Sequence, residues 1–327
     1  MKNDPAHHPR NIGSKRRRAG NGATPASSAE PLPETPDAKM SASSLTARWV
    51  SAIVGIPVFL ILCLAGATPF CVALIVVAGM AAVEFWRATR QASVRVNPLP
   101  LVVAAVSPII GTPIGRFWIW DTEAYPVFVR TLILVFLATC LWEIVRAART
   151  GHREVAQGVA YGSLGGAYLS LFAAVAWLRQ KPVEMHGGLA ARSDPSALLV
   201  LLLFLCVWAT DSTAFFVGSR WGMRKLAPVL SPNKTVEGAL AGAASAILCG
   251  AVCGRILMDR PFLGIAIGAI AGTIGQAGDL FESAIKRELG IKDFGAILPG
   301  HGGVLDRFDS VLFAAPALLT LLQWYYP

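Results

Sequence analysis

Ser283–Asp309 reads SAIKRELGIKDFGAILPGHGGVLDRFD and joins two membrane-length apolar runs, near residues 261–279 and 308–326. Four acidic and four basic side chains, one histidine and a Gly-Gly pair fall within these 27 residues. Ionisable groups at the edge of a bilayer are costly to keep and mark chemistry or ion passage. On either side the chain is apolar: 54% of its 327 residues are hydrophobic and 15% are charged, with a mean hydropathy of +0.54. A soluble domain would carry about 25% charged residues. Here the apolar residues lie in long runs, which points to an all-α polytopic integral membrane protein whose helices satisfy their own backbone in lipid.

A spanning helix needs about 20 mostly apolar residues. Nine candidates follow, near 49–66, 68–86, 99–116, 127–146, 157–177, 196–218, 236–258, 261–279 and 308–326, the third interrupted by Pro108 and Pro113. Residues 1–48 hold eight Lys or Arg amid Pro, Ala, Ser and Gly, without apolar periodicity, and are expected to form a disordered basic tail on the cytoplasmic side. This tail is not read as a cleavable signal peptide, because its apolar run starts only near Trp49. Residues 49–195 are expected to form an N-terminal set of transmembrane helices, and 196–327 a C-terminal transmembrane region that holds the candidate site, with cytoplasmic loops 219–235 and 280–307.

Positive charge sets the orientation. Arg87, Arg90 and Arg95 lie between the second and third runs, and Arg146, Arg149 and Arg153 between the fourth and fifth. Arg220, Arg224, Lys225 and Lys234 lie between the sixth and seventh; Lys286, Arg287, Lys292 and Arg307 between the eighth and ninth. The alternate loops are shorter or of mixed sign, as with Arg116, Asp121 and Glu123, or with Asp259 and Arg260. This pattern places the N-terminus inside and the C-terminus outside. It also accounts for the net charge of +9 without nucleic acid as a partner. The six cysteines lie in or beside apolar runs with no CxxC, so neither zinc nor a disulfide framework is indicated; Cys249 and Cys253 read as packing residues on one helix face.

Asp211 stands alone in LFLCVWATDSTAFFVG. An ionised carboxylate there must be paired or metal-bound, or else cap a helix break together with Ser212 and Thr213. Downstream, Ser231-Pro232 closes one element, and Lys234 and Thr235 precede a helix start near Val236. Such a start with a lysine suits a phosphate, while Glu237 in its first turn can serve the helix dipole. Gly264, Gly268, Gly272, Gly275 and Gly278 permit close helix contact. Asp279, Glu282, Ser283 and Lys286 then recur on one helix face, either as an amphipathic surface or with Asp279 offering a hard oxygen ligand. Gly302 and Gly303 let backbone approach a ligand closely. Asp306 and Asp309, three apart, are expected on one face of the entry to the ninth helix, with Arg307 between them as a planar fork for phosphate oxygens. Carboxylates with no cysteine and one histidine suit Mg²⁺ rather than zinc. His301 serves either a loop hydrogen bond or proton transfer. No GxxxxGK[ST] sequence is present, which excludes P-loop ATPases.

Ser283, Lys286, Arg287, Lys292, Asp293, Gly295, Pro299, His301, Gly302, Gly303, Asp306, Arg307 and Asp309 together resemble the signature of the phosphatidate cytidylyltransferases. DSTAFFVG (211–218) and SPNKTVEG (231–238) are similar to that family's pattern too, with Asn233 where members often carry a second lysine and Phe215 where they often carry tyrosine. The likeness extends over about residues 205–310. It implies that CTP and phosphatidate give CDP-diacylglycerol and pyrophosphate. It further implies Mg²⁺ with a monovalent cation such as K⁺ as second ion, and a homodimer in the bacterial inner membrane with its site facing the cytoplasm. On this resemblance Asp279 and Asp306 are the metal ligands, and Lys286, Arg287 and Arg307 act with them in catalysis. The expected substrate-binding residues are Asp211, Ser231, Lys234, Thr235, Glu237, Ser283, Lys292, Asp293, His301, Gly302, Gly303 and Asp309.

Two other functions share some of these features. A CTP-dependent polyprenol kinase would transfer the γ-phosphate and release CDP. A cation-coupled transporter would use Asp211 and Asp279 as ion sites, but its acids would lie at the midplane between inverted repeats, and no such repeat is evident.

Overall fold

The computed structural model describes residues 42–114, 124–151, 154–181, 187–191, 193–295 and 302–325. In chain order these form α1 (Ala42–Leu64), α2 (Ala67–Gln91), α3 (Pro98–Ile114), α4 (Ala124–Thr150), α5 (Val155–Ser170), α6 (Phe172–Gln180) and α7 (Pro195–Trp221). There follow β1 (Lys225–Ala227), β2 (Ser231–Thr235), α8 (Val236–Met258), α9 (Pro261–Ile270), α10 (Gln276–Glu288) and α11 (Asp309–Tyr325). The architecture is all-α apart from the antiparallel β1–β2 hairpin.

Every expected apolar run coincides with helix among the described residues. Six helical stretches are long and apolar enough to cross a membrane, and three shorter apolar helices, Ile53–Leu64, Pro98–Ile110 and Asp309–Trp324, accompany them. Most of residues 1–48 lie outside the described residues, as do Arg116, Asp121, Glu123, Arg153, Pro299 and His301.

Several boundaries differ from expectation. Helix α1 begins at Ala42, inside the stretch expected to be tail. Pro108 does not interrupt α3, which is continuous to Ile114; in lipid the remaining helical hydrogen bonds have no alternative partner. The fifth run divides at Leu171 into α5 and α6. The sixth runs unbroken through Asp211 to Trp221, so Asp211 does not cap a helix break. The span expected as loop 219–235 contains the β-hairpin, and α10 extends the eighth run to Glu288, making the start of the expected loop 280–307 helical.

Small residues set the spacing of α8 and α9. A Cβ added at Gly264 would fall 1.9 Å from the Gly250 carbonyl oxygen, and one at Gly268 would fall 2.2 Å from that of Ala246. The two backbones touch, as small residues allow inside a bilayer. The N-terminal part of the same α8 stripe does the same with α7: a Cβ at Gly242 would meet Thr210 O at 2.8 Å. Large aliphatic side chains such as Leu134, Leu141 and Leu248 point outward and are exposed, the surface a bilayer covers. The buried core runs through Phe85, Leu101, Leu169, Phe172, Leu203 and Leu312.

The two ends of this bundle are tied differently. At one end Arg179, fully buried at the close of α6, donates Nε–H to Cys63 O at 2.9 Å and Nη1–H to Asp194 Oδ2 at 2.7 Å and Ser196 Oγ at 2.8 Å. Asp194 also caps α7, accepting from Ser196 N–H at 3.0 Å ahead of Pro195. The opposite end collects the termini of α2, α7, α8, α10 and α11, and carries the acids and bases described next.

Candidate active site

Helix α10 enters through a π-helical turn at Ala271–Gly275. Such turns insert one residue into a helix and recur at functional sites. Beyond it Asp279, Glu282, Ser283 and Lys286 do share one face. Ser283 Oγ lies 3.5 Å from Asp279 Oδ1, and Lys286 Nζ lies 3.0 Å from Glu282 Oε1. A Cβ at Gly278 would meet Asp309 O at 2.6 Å, so α10 and the start of α11 are in backbone contact beside Asp279.

Lys234, at the end of the hairpin, pairs with Asp279 Oδ2. Asp211 of α7, Asp279 of α10 and Asp309 of α11 lie close enough to feel one another's charge, and Lys234 and Arg307 are the cations that face Asp211. Four separate stretches of sequence therefore converge on one cluster. Asp309 Oδ1 also accepts the N–H of Ser310, opening α11.

Asp306 sits in a short 3₁₀ turn, Leu305–Arg307, and is buried. Its Oδ1 accepts from Lys286 Nζ at 2.8 Å, and its Oδ2 from Phe294 N–H at 3.0 Å and Gly303 N–H at 2.9 Å. Burial alone would raise its pKa, but the Lys286 ammonium and the two backbone donors prevail and hold the carboxyl below its ordinary value. Lys286 is thus shared between Asp306 and Glu282, and the fully buried Glu282 receives the Tyr168 hydroxyl at 2.8 Å.

The other expected residues fall around this centre. Arg287 donates to Leu230 O and Ile291 O, each at 3.2 Å, holding the hairpin turn against α10. Glu237 accepts from the N–H groups of Met223 and Arg224 and from Arg224 Nε, all at 3.1 Å, and so closes the link from α7 to the hairpin. At the start of α8 the N–H groups of Val236 and Gly238 go to Arg224 O and to Thr235 Oγ1 at 2.9 and 3.1 Å, so protein groups cap this helix. Ser231 pairs with Ala227 in the hairpin. Lys292, Asp293 and Arg307 are exposed, and Gly302 has φ +78°. His301 lies outside the described residues.

Sequence reasoning missed two contributors from the N-terminal helices. Tyr168 of α5 carried no signal. Glu84 of α2 is buried, and its Oε1 and Oε2 accept the N–H groups of Val304 and Leu305, each at 2.9 Å. A lone acid inside an apolar run, the sign that singled out Asp211, was there to be read.

For a metal, the donors are carboxylate oxygens, and each of the two expected ligands, Asp279 and Asp306, already accepts a lysine ammonium. Such hard donors fit Mg²⁺, which is commonly held by one or two carboxylates plus substrate phosphates. Among the described residues no three His, Cys, Asp or Glu side chains converge on one point, so substrate oxygens would complete the coordination.

The pattern of the cytidylyltransferase family matches residues 46–325. The chain belongs to this family. Among curated relatives, a phosphatidate cytidylyltransferase of Staphylococcus saprophyticus is 46% identical over 129 residues, 38% of this chain and 48% of the relative. One of Bacillus subtilis is 46% identical over 131 residues, 39% of this chain and 49% of the relative. One of Staphylococcus haemolyticus is 43% identical over 139 residues, 41% and 52% of the two chains. The chain spans about half the length of the curated relatives it matches. Membership in the cytidylyltransferase family gives the helix-end cluster of acids and lysines a chemical context.

Proposed function

We propose that the protein is a phosphatidate cytidylyltransferase, converting CTP and phosphatidate into CDP-diacylglycerol and pyrophosphate. The observation that carries this reading is the convergence of Asp211, Lys234, Asp279, Lys286, Asp306, Arg307 and Asp309 at one end of a membrane-embedded helical bundle in a member of this family. A phosphate oxygen of phosphatidate attacks the α-phosphorus of CTP; that P–O bond forms as the bond to the β-phosphate oxygen breaks, and pyrophosphate departs. Both reactants are anions, so the residues must neutralise charge and hold the reacting groups in line. Lys234, Lys286, Arg287, Lys292 and Arg307 supply positive charge. No general base is needed, because a phosphate monoester is largely ionised at neutral pH. The diacyl chains stay in the bilayer while the phosphate reaches the helix ends.

The cytidylyltransferase family generally uses a divalent cation. Mg²⁺ is our proposal, held by Asp279 and Asp306, with a monovalent cation such as K⁺ as second ion. A bound Mg²⁺ would neutralise phosphate oxygens and support the leaving pyrophosphate. We further propose nine membrane crossings, a cytoplasmic site in the bacterial inner membrane, and a homodimer. The contact of Glu84 with Val304 supports the sidedness, since it brings the α2 end and the segment before α11 to one face.

Purified protein supplied with labelled CTP, phosphatidate and Mg²⁺ tests the reaction. Label entering lipid in step with pyrophosphate release supports it. CDP release without label in lipid would indicate a kinase, and no turnover by folded protein would return the intramembrane acids to transport.

A further inference from the structure

We propose that Glu84 is a positioning residue for cytidylyl transfer, acting through the Gly303–Leu305 backbone on Asp306 and Lys286; the inference rests on the reaction proposed above. Glu84 comes from α2, 220 residues before its first partner, and only 1% of it is exposed. Each of its oxygens takes one amide, Val304 N–H on Oε1 and Leu305 N–H on Oε2, both at 2.9 Å. The preceding amide, Gly303 N–H, goes to Asp306 Oδ2 at 2.9 Å. Three consecutive N–H groups are therefore held by two carboxylates, and the turn that presents Asp306 has its pitch set from α2.

These three amides point inward to the two carboxylates, so Gly303 lends its N–H to Asp306 rather than to a phosphate. A Cβ at Gly303 would come 2.7 Å from Glu84 Oε2, and one at Gly295 would come 2.5 Å from Glu84 Oε1. At Gly295 the three nearest atoms all belong to Glu84. Both glycines make room for this carboxylate. The alignment is reinforced next door, where Phe85 stacks on Phe294 with ring centroids 5.7 Å apart. Asp306 in turn holds Lys286 at 2.8 Å. A shift of the turn would misplace both charged groups together.

The experiment uses the full-length protein in detergent with Glu84→Gln, Gly295→Ala, and Gly295→Ala combined with Glu84→Asp. Turnover of labelled CTP into lipid, thermal melting, and hydrogen exchange of the 302–306 amides are read for each. Glu84→Gln should lower kcat by about tenfold or more while KM for CTP moves by less than about threefold, since misplaced reacting groups cost turnover more than binding. Its 302–306 amides should exchange faster while other segments keep their protection. Gly295→Ala should lower kcat, and the shorter aspartate at position 84 should restore part of it. Wild-type kcat in Glu84→Gln overturns the proposal. So does a loss that follows the unfolded fraction with unchanged exchange at 302–306. Should Glu84→Gln not fold, the paired variants decide: rescue upholds the proposal and absence of rescue overturns it. An inactive wild-type protein would instead sink the reaction, and the exchange data would still read the hold of Glu84.

Discussion

The hydroxyl of Tyr168 donates to Glu282 Oε2 at 2.8 Å, joining α5 to α10 across 114 residues. Glu282 Oε1 is held by Lys286, and Lys286 by Asp306, so one buried chain of contacts runs from an N-terminal helix to the turn before α11. Tyr168→Phe removes one donor and keeps the ring packing with Phe281 and Phe313. Leaving a buried carboxyl oxygen without its donor costs about 1–3 kcal/mol. The melting temperature should fall accordingly, and kcat should drop by roughly threefold to tenfold as Lys286 loses its fixed support.

Asp279→Asn and Asp306→Asn should each leave a folded, membrane-inserted protein. CTP turnover should fall by about 100-fold or more in both, the scale seen when one preorganised charge-stabilising group is removed. Assays of lipid-incorporated label alongside a melting curve check this. Near-normal turnover in either variant would remove that residue from the proposed metal site.

At the opposite end, Arg179→Ala should destabilise without altering the chemistry. Breaking a fully buried ion pair costs about 3–5 kcal/mol. Here the cost should be lower, about 2–3 kcal/mol, because the half-exposed Asp194 can take water in place of the guanidinium. A lower melting temperature with unchanged kcat per folded molecule is the expected result.

The same lock has a pH signature. Burial of Asp194 opposes ionisation, but Ser196 and Arg179 outweigh it and hold the carboxyl below its ordinary value. A depressed folded pKa contributes stability that is full above the unfolded value of about 3.9 and is lost as pH falls through the folded one. The difference in melting temperature between wild type and Asp194→Asn should therefore stay constant from about pH 8 to 5 and shrink only below about pH 4.

Glycines on the α9–α10 rod should differ sharply in tolerance. Gly264→Ala forces a methyl against the Gly250 carbonyl, where 1.9 Å is available, whereas a Cβ at Gly275 meets nothing closer than 3.5 Å. Overpacking typically costs about 1–3 kcal/mol. Gly264→Ala should lower the melting temperature clearly and Gly275→Ala should not.

Much of this organisation was legible in the chain. Hydropathy located the apolar helices among the described residues, because lipid leaves the backbone few options. The Asp279–Lys286 face followed from helical spacing. What escaped was set by tertiary contact. The β1–β2 hairpin exists because Arg287 and Glu237 fasten its ends, and nothing in LAPVLSPNKT announces that. Asp306 and Asp309 are three apart, yet the first turns inward to Lys286 while the second faces Asp211 and Asp279, because a 3₁₀ turn separates it from α11. Glu84 and Tyr168 meet the signature from more than 100 residues away, and local periodicity carries no record of such partners.

The π-helical turn at Ala271–Gly275 makes the eighth rod sensitive to how its backbone is wound. An α-helix advances about 100° per residue, so winding the surplus residue into regular α-helix, with no residue removed, would rotate everything after the turn relative to everything before it. Gly264 and Gly268 would keep their seats against α8, while Asp279, Glu282 and Lys286 would swing together away from Lys234, Tyr168 and Asp306. The wide turn is a phase setting: it lets the glycine stripe and the polar face of a single rod each stay in register with its own neighbours.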